Sequence, residues 1–137
     1  MNYPKLPSFR LDGKRALVTG AGRGIGMGAS IALAESGANV TLISRTEKEL
    51  KDLTDHINNR GYKASFEVLD VSREDEVSNF INNNAPFDIL INNAGIIPSQ
   101  SCSTIVHSCF KIAQSSLAKS TSNPIKLPEE SFAFHGG

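Results

Sequence analysis

Length, composition and charge narrow the classes of protein to which this chain can belong. Its 137 residues suffice for one domain with a buried core, and 39% of them are hydrophobic. The 14 Lys and Arg residues balance 14 Asp and Glu residues, and no apolar run reaches the length of a membrane span. We therefore expect neither a nucleic-acid partner nor a membrane partner. The N-terminus lacks the apolar core of a signal peptide, which predicts a cytoplasmic protein.

The first predicted element is a buried strand at Leu17 and Val18, which leads directly into a turn rich in glycine at 20–26. Glycines allow a sharp turn and let a ligand approach the backbone closely. A helix follows, and the N–H groups at its start attract phosphate. The spacing G-x-x-x-G-x-G matches neither G-x-G-x-x-G nor a P-loop. By itself, the segment predicts either a phosphate-binding turn or a strand-to-helix turn without a ligand.

The rest of the chain alternates strand and helix up to residue 91. The helix after the turn has an apolar spacing that predicts a face packed on the sheet, formed by Ile25, Ala29, Ala32 and Leu33. Later elements are a strand at 39–44 after a helix end at Gly37, a helix started by a Thr46–Glu49 capping box and ending near Gly61, a strand at 64–69, a helix capped by Ser72 with Asp75, and a strand at 87–91.

This alternation predicts a doubly wound parallel α/β sheet of the Rossmann type, with about four strands in the order 3-2-1-4. In such a sheet, the ligand crevice lies beyond the carboxyl ends of the strands, where the strand order reverses. The glycine-rich turn and the segment Asn92-Asn93-Ala94-Gly95 would then flank the same crevice. Their convergence predicts a ligand site.

Together, these motifs resemble those of the short-chain dehydrogenase/reductase family, whose members oxidise hydroxyl groups or reduce carbonyl groups with a nicotinamide cofactor. The segment Thr19–Gly26 matches the family's T-G-x-x-x-G-x-G turn, Asp70-Val71 is similar to the pair that contacts adenine, and 92–95 matches its N-N-A-G. The resemblance covers residues 9–97. It implies an NADP-binding domain at 1–97 and a divergent tail at 98–137, partly helical or disordered.

The resemblance also implies which residues contact the cofactor. They are Thr19, Gly20, Arg23, Gly24, Ile25, Gly26, Ser44, Arg45, Asp70, Val71, Asn92, Asn93, Ala94 and Gly95. The pair Ser44-Arg45 at the end of the second strand suits the 2′-phosphate of NADP, and Arg23 adds a second cation. One charge-assisted contact of about 1.5–3 kcal/mol predicts a ten- to hundredfold preference for NADP over NAD. The alternatives are that Arg45 is a solvated arginine at a helix start and that Asp70 is an ordinary loop aspartate.

The catalytic pattern of the family, a tyrosine followed four residues later by a lysine, has no counterpart here. The two tyrosines, Tyr3 and Tyr62, both precede the 92–95 segment, so we assign no catalytic residue. The cysteines Cys102 and Cys109 lack C-x-x-C spacing, and we expect no metal site. The family's interface helices also lack a match, so no family-type oligomer is expected.

Three hypotheses follow from this departure. The first is an NADP-dependent oxidoreductase that is truncated and inactive as it stands, since loss of the proton donor and the substrate pocket removes most of the rate. The second is a dinucleotide-binding module without catalysis. The third is a non-functional product of a frameshift or a premature end, suggested by the change in composition near Ile97.

Overall fold

Residues 1–95 are described by a computed structural model, in which four strands alternate with three helices. The elements are β1 (Arg15–Thr19), α1 (Gly24–Glu35), β2 (Asn39–Ser44), α2 (Glu47–Asn59), β3 (Lys63–Val68), α3 (Glu74–Asn83) and β4 (Ile89–Asn92). The predicted tail at 98–137 lies outside the described residues, as do the last two residues of the predicted 1–97 domain.

The four strands form one parallel sheet in the order β3-β2-β1-β4, which confirms the predicted topology. Leu17, Val18 and Leu42 on the two central strands are fully buried, as expected where helices cover both faces of a sheet. The register pairs Thr19 at the end of β1 with Ile43 on β2 and Asn92 on β4. The carboxyl ends of these strands therefore meet at one edge.

A separate hydrophobic core forms on each face of the sheet. On one face, α1 and α2 pack over the strands through side chains that include Leu50, Leu53 and Ile57. On the other face, α3 packs through Val77 and Ile81. Because α1 and α2 cover one face and α3 covers the other, the strand order reverses at β1, and the crevice opens there.

Helix α1 packs on the sheet through a different face from the one predicted. Its buried residues are Gly26, Ser30 and Ala34, whereas Ile25 is 81% exposed. Of the other predicted positions, Ala32 is exposed, while Ala29 and Leu33 are partly buried. Small side chains let the helix approach the sheet closely, and the Ser30 hydroxyl donates to the Gly26 carbonyl oxygen at 2.7 Å. The residues of α1 are apolar on all sides of the helix, so periodicity alone did not identify the face that packs on the sheet.

The predicted capping hydrogen bonds are absent from both α2 and α3, although Thr46 is the N-cap residue of α2 as predicted; the N-cap residue of α3 is Arg73 and not Ser72. The Thr46 side chain makes no capping hydrogen bond, and the Thr46 N–H donates instead to Ser44 Oγ at 3.2 Å. Ser72 lies outside α3, and its hydroxyl donates to Asp70 Oδ1 at 2.7 Å. Hydroxyl side chains have several local backbone and side-chain partners, and the Ser72 hydroxyl bonds one that lies outside α3.

Candidate functional site

A cleft of about 240 Å³ opens at the carboxyl edge of the sheet. Its walls come from the glycine-rich turn after β1, from the end of β2 and the first turn of α2, and from the loops after β3 and β4. This is the position at which doubly wound sheets bind ligands. The two loops that the sequence predicted to converge therefore share one cleft.

Thr19 joins the glycine-rich turn to the loop after β4. Its fully buried hydroxyl donates to Asn92 Oδ1 at 3.0 Å and accepts the N–H groups of Asn93 and Ala94, each at 3.1 Å. One donor and two acceptor positions are the full capacity of a hydroxyl group, so every one of them is used. Thr19 does not line the cleft, and its observed role is to fix the two loops relative to each other.

Two glycines make the contact between these loops possible. Gly20 has a φ of +65°, and a Cβ there would lie 2.8 Å from Ala94 Cα. A Cβ on Gly26 would overlap the Gly20 carbonyl oxygen and lie 2.6 Å from Asn93 Nδ2, the same nitrogen that donates to that oxygen at 3.2 Å. Close backbone approach therefore requires glycine at both positions.

The end of the cleft beside β2 is positively charged. Arg23, Ser44 and Arg45 line it, and both arginines are exposed. Within residues 1–95 neither guanidinium group forms an ion pair. Guanidinium groups bind phosphate through paired N–H donors, so this end has the chemistry of an anion site.

The loop after β3 contributes a carboxylate to the cleft, beside apolar side chains. Asp70 Oδ1 accepts from the Ser72 hydroxyl and from the Ser72 N–H, the latter at 3.0 Å. These bonds lower the pKa of Asp70 below its ordinary value, and the charges of Arg45 and Arg73 lower it further, against the opposing effect of partial burial. The neighbouring Val71 is 6% exposed and lines the cleft. An ionised acceptor beside an aliphatic wall suits a planar ring that carries an amino group.

The structure brings most of the predicted cofactor residues together at this cleft. Those that line it are Gly20, Arg23, Ser44, Arg45, Asp70, Val71, Asn93, Ala94 and Gly95. Those that do not line it are Thr19, Gly24, Ile25, Gly26 and Asn92. Sequence reasoning missed the remaining lining residues, which are Gly22, Ile43, Thr46, Glu49 and Leu69. For Glu49, the capping-box spacing suggested a different role for the side chain.

Comparison with known proteins then places the chain in a family. The sequence model of the family described as short chain dehydrogenase matches residues 14–123, which is most of the chain. The chain belongs to the short-chain dehydrogenase family. The match extends past residue 97, at which the motifs predicted that the resemblance would end.

Members of this dehydrogenase family are similar to the chain over part of their length. Galactitol 2-dehydrogenase of Rhizobium johnstonii is 43% identical over 108 residues, which cover 73% of this chain and 41% of that protein. Gluconate 5-dehydrogenase of Gluconobacter oxydans is 44% identical over 100 residues, or 70% of this chain and 38% of that protein. The chain therefore spans less than half the length of these curated relatives.

A solved structure is also similar to the chain in its fold. The Pseudomonas aeruginosa RhlG/NADP active-site complex matches with a TM-score of 0.71 and 31% identity. The match covers 85% of this chain and 51% of that one.

Neither of this chain's two tyrosines lies at the cleft. Tyr3 is 79% exposed in the N-terminal arm, and Tyr62 packs against the core under α1 and α2. Across residues 1–95, no group of three His, Cys, Asp or Glu side chains has the arrangement of a metal site. In the same range, no helix combines the length and apolar character that crossing a membrane requires.

Proposed function

We propose that this chain binds NADP(H) in the cleft, as the cofactor-binding part of an oxidoreductase that acts on carbonyl and hydroxyl groups. The observation that carries the proposal is the pair of arginines without ion-pair partners, Arg23 and Arg45, which line the cleft with Ser44. The dinucleotide of the RhlG complex is of the same class, and membership of the family supports the type of reaction.

The charges at the β2 end favour the 2′-phosphate of NADP over the 2′-hydroxyl of NAD. A phosphate would form charge-assisted bonds with Arg45 and Arg23 and accept the hydroxyl hydrogen of Ser44. One such contact contributes about 1.5–3 kcal/mol, which corresponds to a ten- to hundredfold difference in affinity. NADPH is therefore the cofactor that we expect to bind more tightly.

The other parts of the cleft suit the rest of the dinucleotide. Asp70 would accept a hydrogen bond from the adenine amino group, while Val71 and Leu69 would provide apolar surface for the ring, since all three line the cleft. Gly24 does not line the cleft, but the N-terminus of α1 begins there, beside the lining residue Arg23, and would offer backbone N–H groups to the pyrophosphate. No atom lies within 4 Å of the Cβ position of Gly24, which leaves space there.

When bound, the nicotinamide cofactor supplies a hydride to a carbonyl carbon or removes one from an alcohol. This chain's residues hold and orient the dinucleotide, but the family's proton-exchanging tyrosine has no equivalent at the cleft. We therefore propose that this chain binds the cofactor without turning it over. That role corresponds to a dinucleotide-binding module or to the binding half of an inactive reductase.

Titration of the full 137-residue chain with NADPH and with NADH, followed by nucleotide fluorescence, tests the proposal. We expect NADPH to bind about ten- to hundredfold more tightly than NADH. A chain that shows cooperative unfolding but binds neither nucleotide would contradict the proposal. A second assay supplies NADP with galactitol or gluconate, the substrates in the names of the two curated relatives. Turnover at ordinary enzymatic rates would overturn the proposed lack of catalysis.

A further inference from the structure

A glutamate lies at the same end of the cleft as the arginines. Glu49, in the first turn of α2, is partly buried and lines the cleft with Ser44 and Arg45. A capping box would have used its carboxylate to accept the Thr46 N–H, but that N–H donates to Ser44 Oγ. In the described part of the chain, the Glu49 carboxylate has no hydrogen-bond or ion-pair partner.

Gly22 provides the space that this carboxylate occupies. A Cβ on Gly22 would lie 2.5 Å from Glu49 Oε2 and 3.3 Å from Ser44 Oγ. Both oxygen atoms thus lie close to a single point on the glycine-rich turn. The Glu49 carboxylate therefore shares the site of the hydroxyl that, in the proposed function, contacts the 2′-position of the cofactor ribose.

A carboxylate at that position affects the two cofactors in opposite ways. It accepts a hydrogen bond from a 2′-hydroxyl, and it repels a 2′-phosphate. We propose that Glu49 is a specificity-determining residue that reduces the preference for NADP over NAD set by Arg23 and Arg45. This inference rests on the proposed function, because it concerns the balance between two cofactors at the same cleft.

The test compares Glu49→Gln with Glu47→Gln in the full chain. Both glutamates are in the first turn of α2, but Glu47 is exposed and does not line the cleft, so the second variant controls for net charge and for the helix dipole. Each variant is titrated with NADPH and NADH at low salt. We expect Glu49→Gln to raise the ratio of NADPH affinity to NADH affinity about five- to thirtyfold, and Glu47→Gln to change it less than about twofold.

Two further measurements distinguish an electrostatic effect from a structural one. The increase in the ratio of NADPH affinity to NADH affinity caused by Glu49→Gln should diminish at about 1 M salt, because the Debye length falls to about 3 Å. Thermal unfolding monitored by circular dichroism shows whether Glu49→Gln folds. If it does not fold, Glu49→Ala takes its place, and we expect that variant also to raise the ratio of NADPH affinity to NADH affinity. If the ratio of NADPH affinity to NADH affinity is unchanged in both variants, the inference is overturned while the proposed function stands. The same holds if Glu47→Gln changes the ratio as much as Glu49→Gln does. Failure of the unaltered, folded chain to bind either nucleotide overturns both.

Discussion

The loop junction at Thr19 and the charged end of the cleft at Arg45 are built in opposite ways. At the junction, a buried hydroxyl uses all of its hydrogen-bonding capacity within the protein, and the adjacent glycines leave no space for a Cβ. At the charged end, Arg23, Arg45 and Glu49 have no ion-pair partner among residues 1–95. The contrast separates residues that shape the cleft from residues whose charged groups remain available to bind a ligand. Substitutions at the junction should change stability, whereas those at the charged end should change affinity alone.

Gly26→Ala should have the largest effect, because the new methyl group would overlap the Gly20 carbonyl oxygen, which is backbone and cannot move aside as a side chain would. We expect a loss of about 3 kcal/mol in the free energy of unfolding, measured by urea denaturation, together with loss of NADPH binding. Gly28→Ala is the matched control, since it lies on the same helix with no atom within 4 Å of its Cβ position. It should stabilise the chain by about 0.4–1 kcal/mol. Equal effects of the two variants would contradict the proposed tight contact.

Thr19→Val should cost about 2 kcal/mol, because it keeps the shape of the side chain but leaves the N–H groups of Asn93 and Ala94 without their acceptor. Urea denaturation measures this loss. Thr41→Val is the control, since Thr41 is on the adjacent strand and its hydroxyl, within residues 1–95, hydrogen-bonds only with Ser65 Oγ, at 3.4 Å. We expect the control to stay within about 0.5 kcal/mol of the unaltered chain. A loss at Thr19 no larger than at Thr41 would show that the junction is not a major source of stability.

Arg45→Gln should weaken NADPH binding by at least about tenfold and leave NADH binding and the free energy of unfolding nearly unchanged. The reason is that Arg45 is exposed and forms no ion pair in the described range, so folding loses little when its charge is removed. Lys48→Gln removes a neighbouring positive charge outside the cleft and should change neither affinity. Equal weakening of NADPH and NADH would argue against contact between Arg45 and the 2′-phosphate.

Ser72→Ala should have the smallest effect of the four substitutions. It should change how the free energy of unfolding depends on pH. Asp70 has a lowered pKa in the folded chain, so its contribution to stability is present at neutral pH and is lost as pH falls from the ordinary carboxylate range through the lowered value. Removal of the Ser72 hydroxyl should raise the pKa of Asp70 and reduce this acid-dependent loss. Titration of the Asp70 carboxyl carbon by NMR measures the shift. Ser78→Ala, an exposed serine on α3, should leave that pKa unchanged.

The parts of the fold that the sequence predicted correctly depend on strong local signals. Apolar runs located the buried strands, and Gly37, with a φ of +103°, marked the end of α1. The strand order and the meeting of the two loops then followed from the topology of doubly wound sheets, in which right-handed crossovers put α1 and α2 on one face and α3 on the other.

The errors arose where several arrangements satisfy the same local chemistry. The face of α1 was wrong because its residues are apolar all round, and close packing selected Gly26, Ser30 and Ala34. The cleft position of Glu49 was missed because its spacing from Thr46 is that of a capping box, whereas the Thr46 N–H donates instead to Ser44 Oγ, two residues before it. The assignment of individual cofactor contacts stays a prediction.

The Thr19 hydroxyl also has a consequence for motion in the loop after β4. The amide groups of Asn93 and Ala94 lie beyond the last residue of β4, yet both donate to an oxygen anchored in a fully buried strand residue. Their hydrogens should therefore exchange with solvent only when the end of β1 opens, and hence much more slowly than those of an ordinary loop. Slow exchange at two loop positions would identify part of the wall of the cleft as belonging to the most stable unit of the sheet before any ligand arrives.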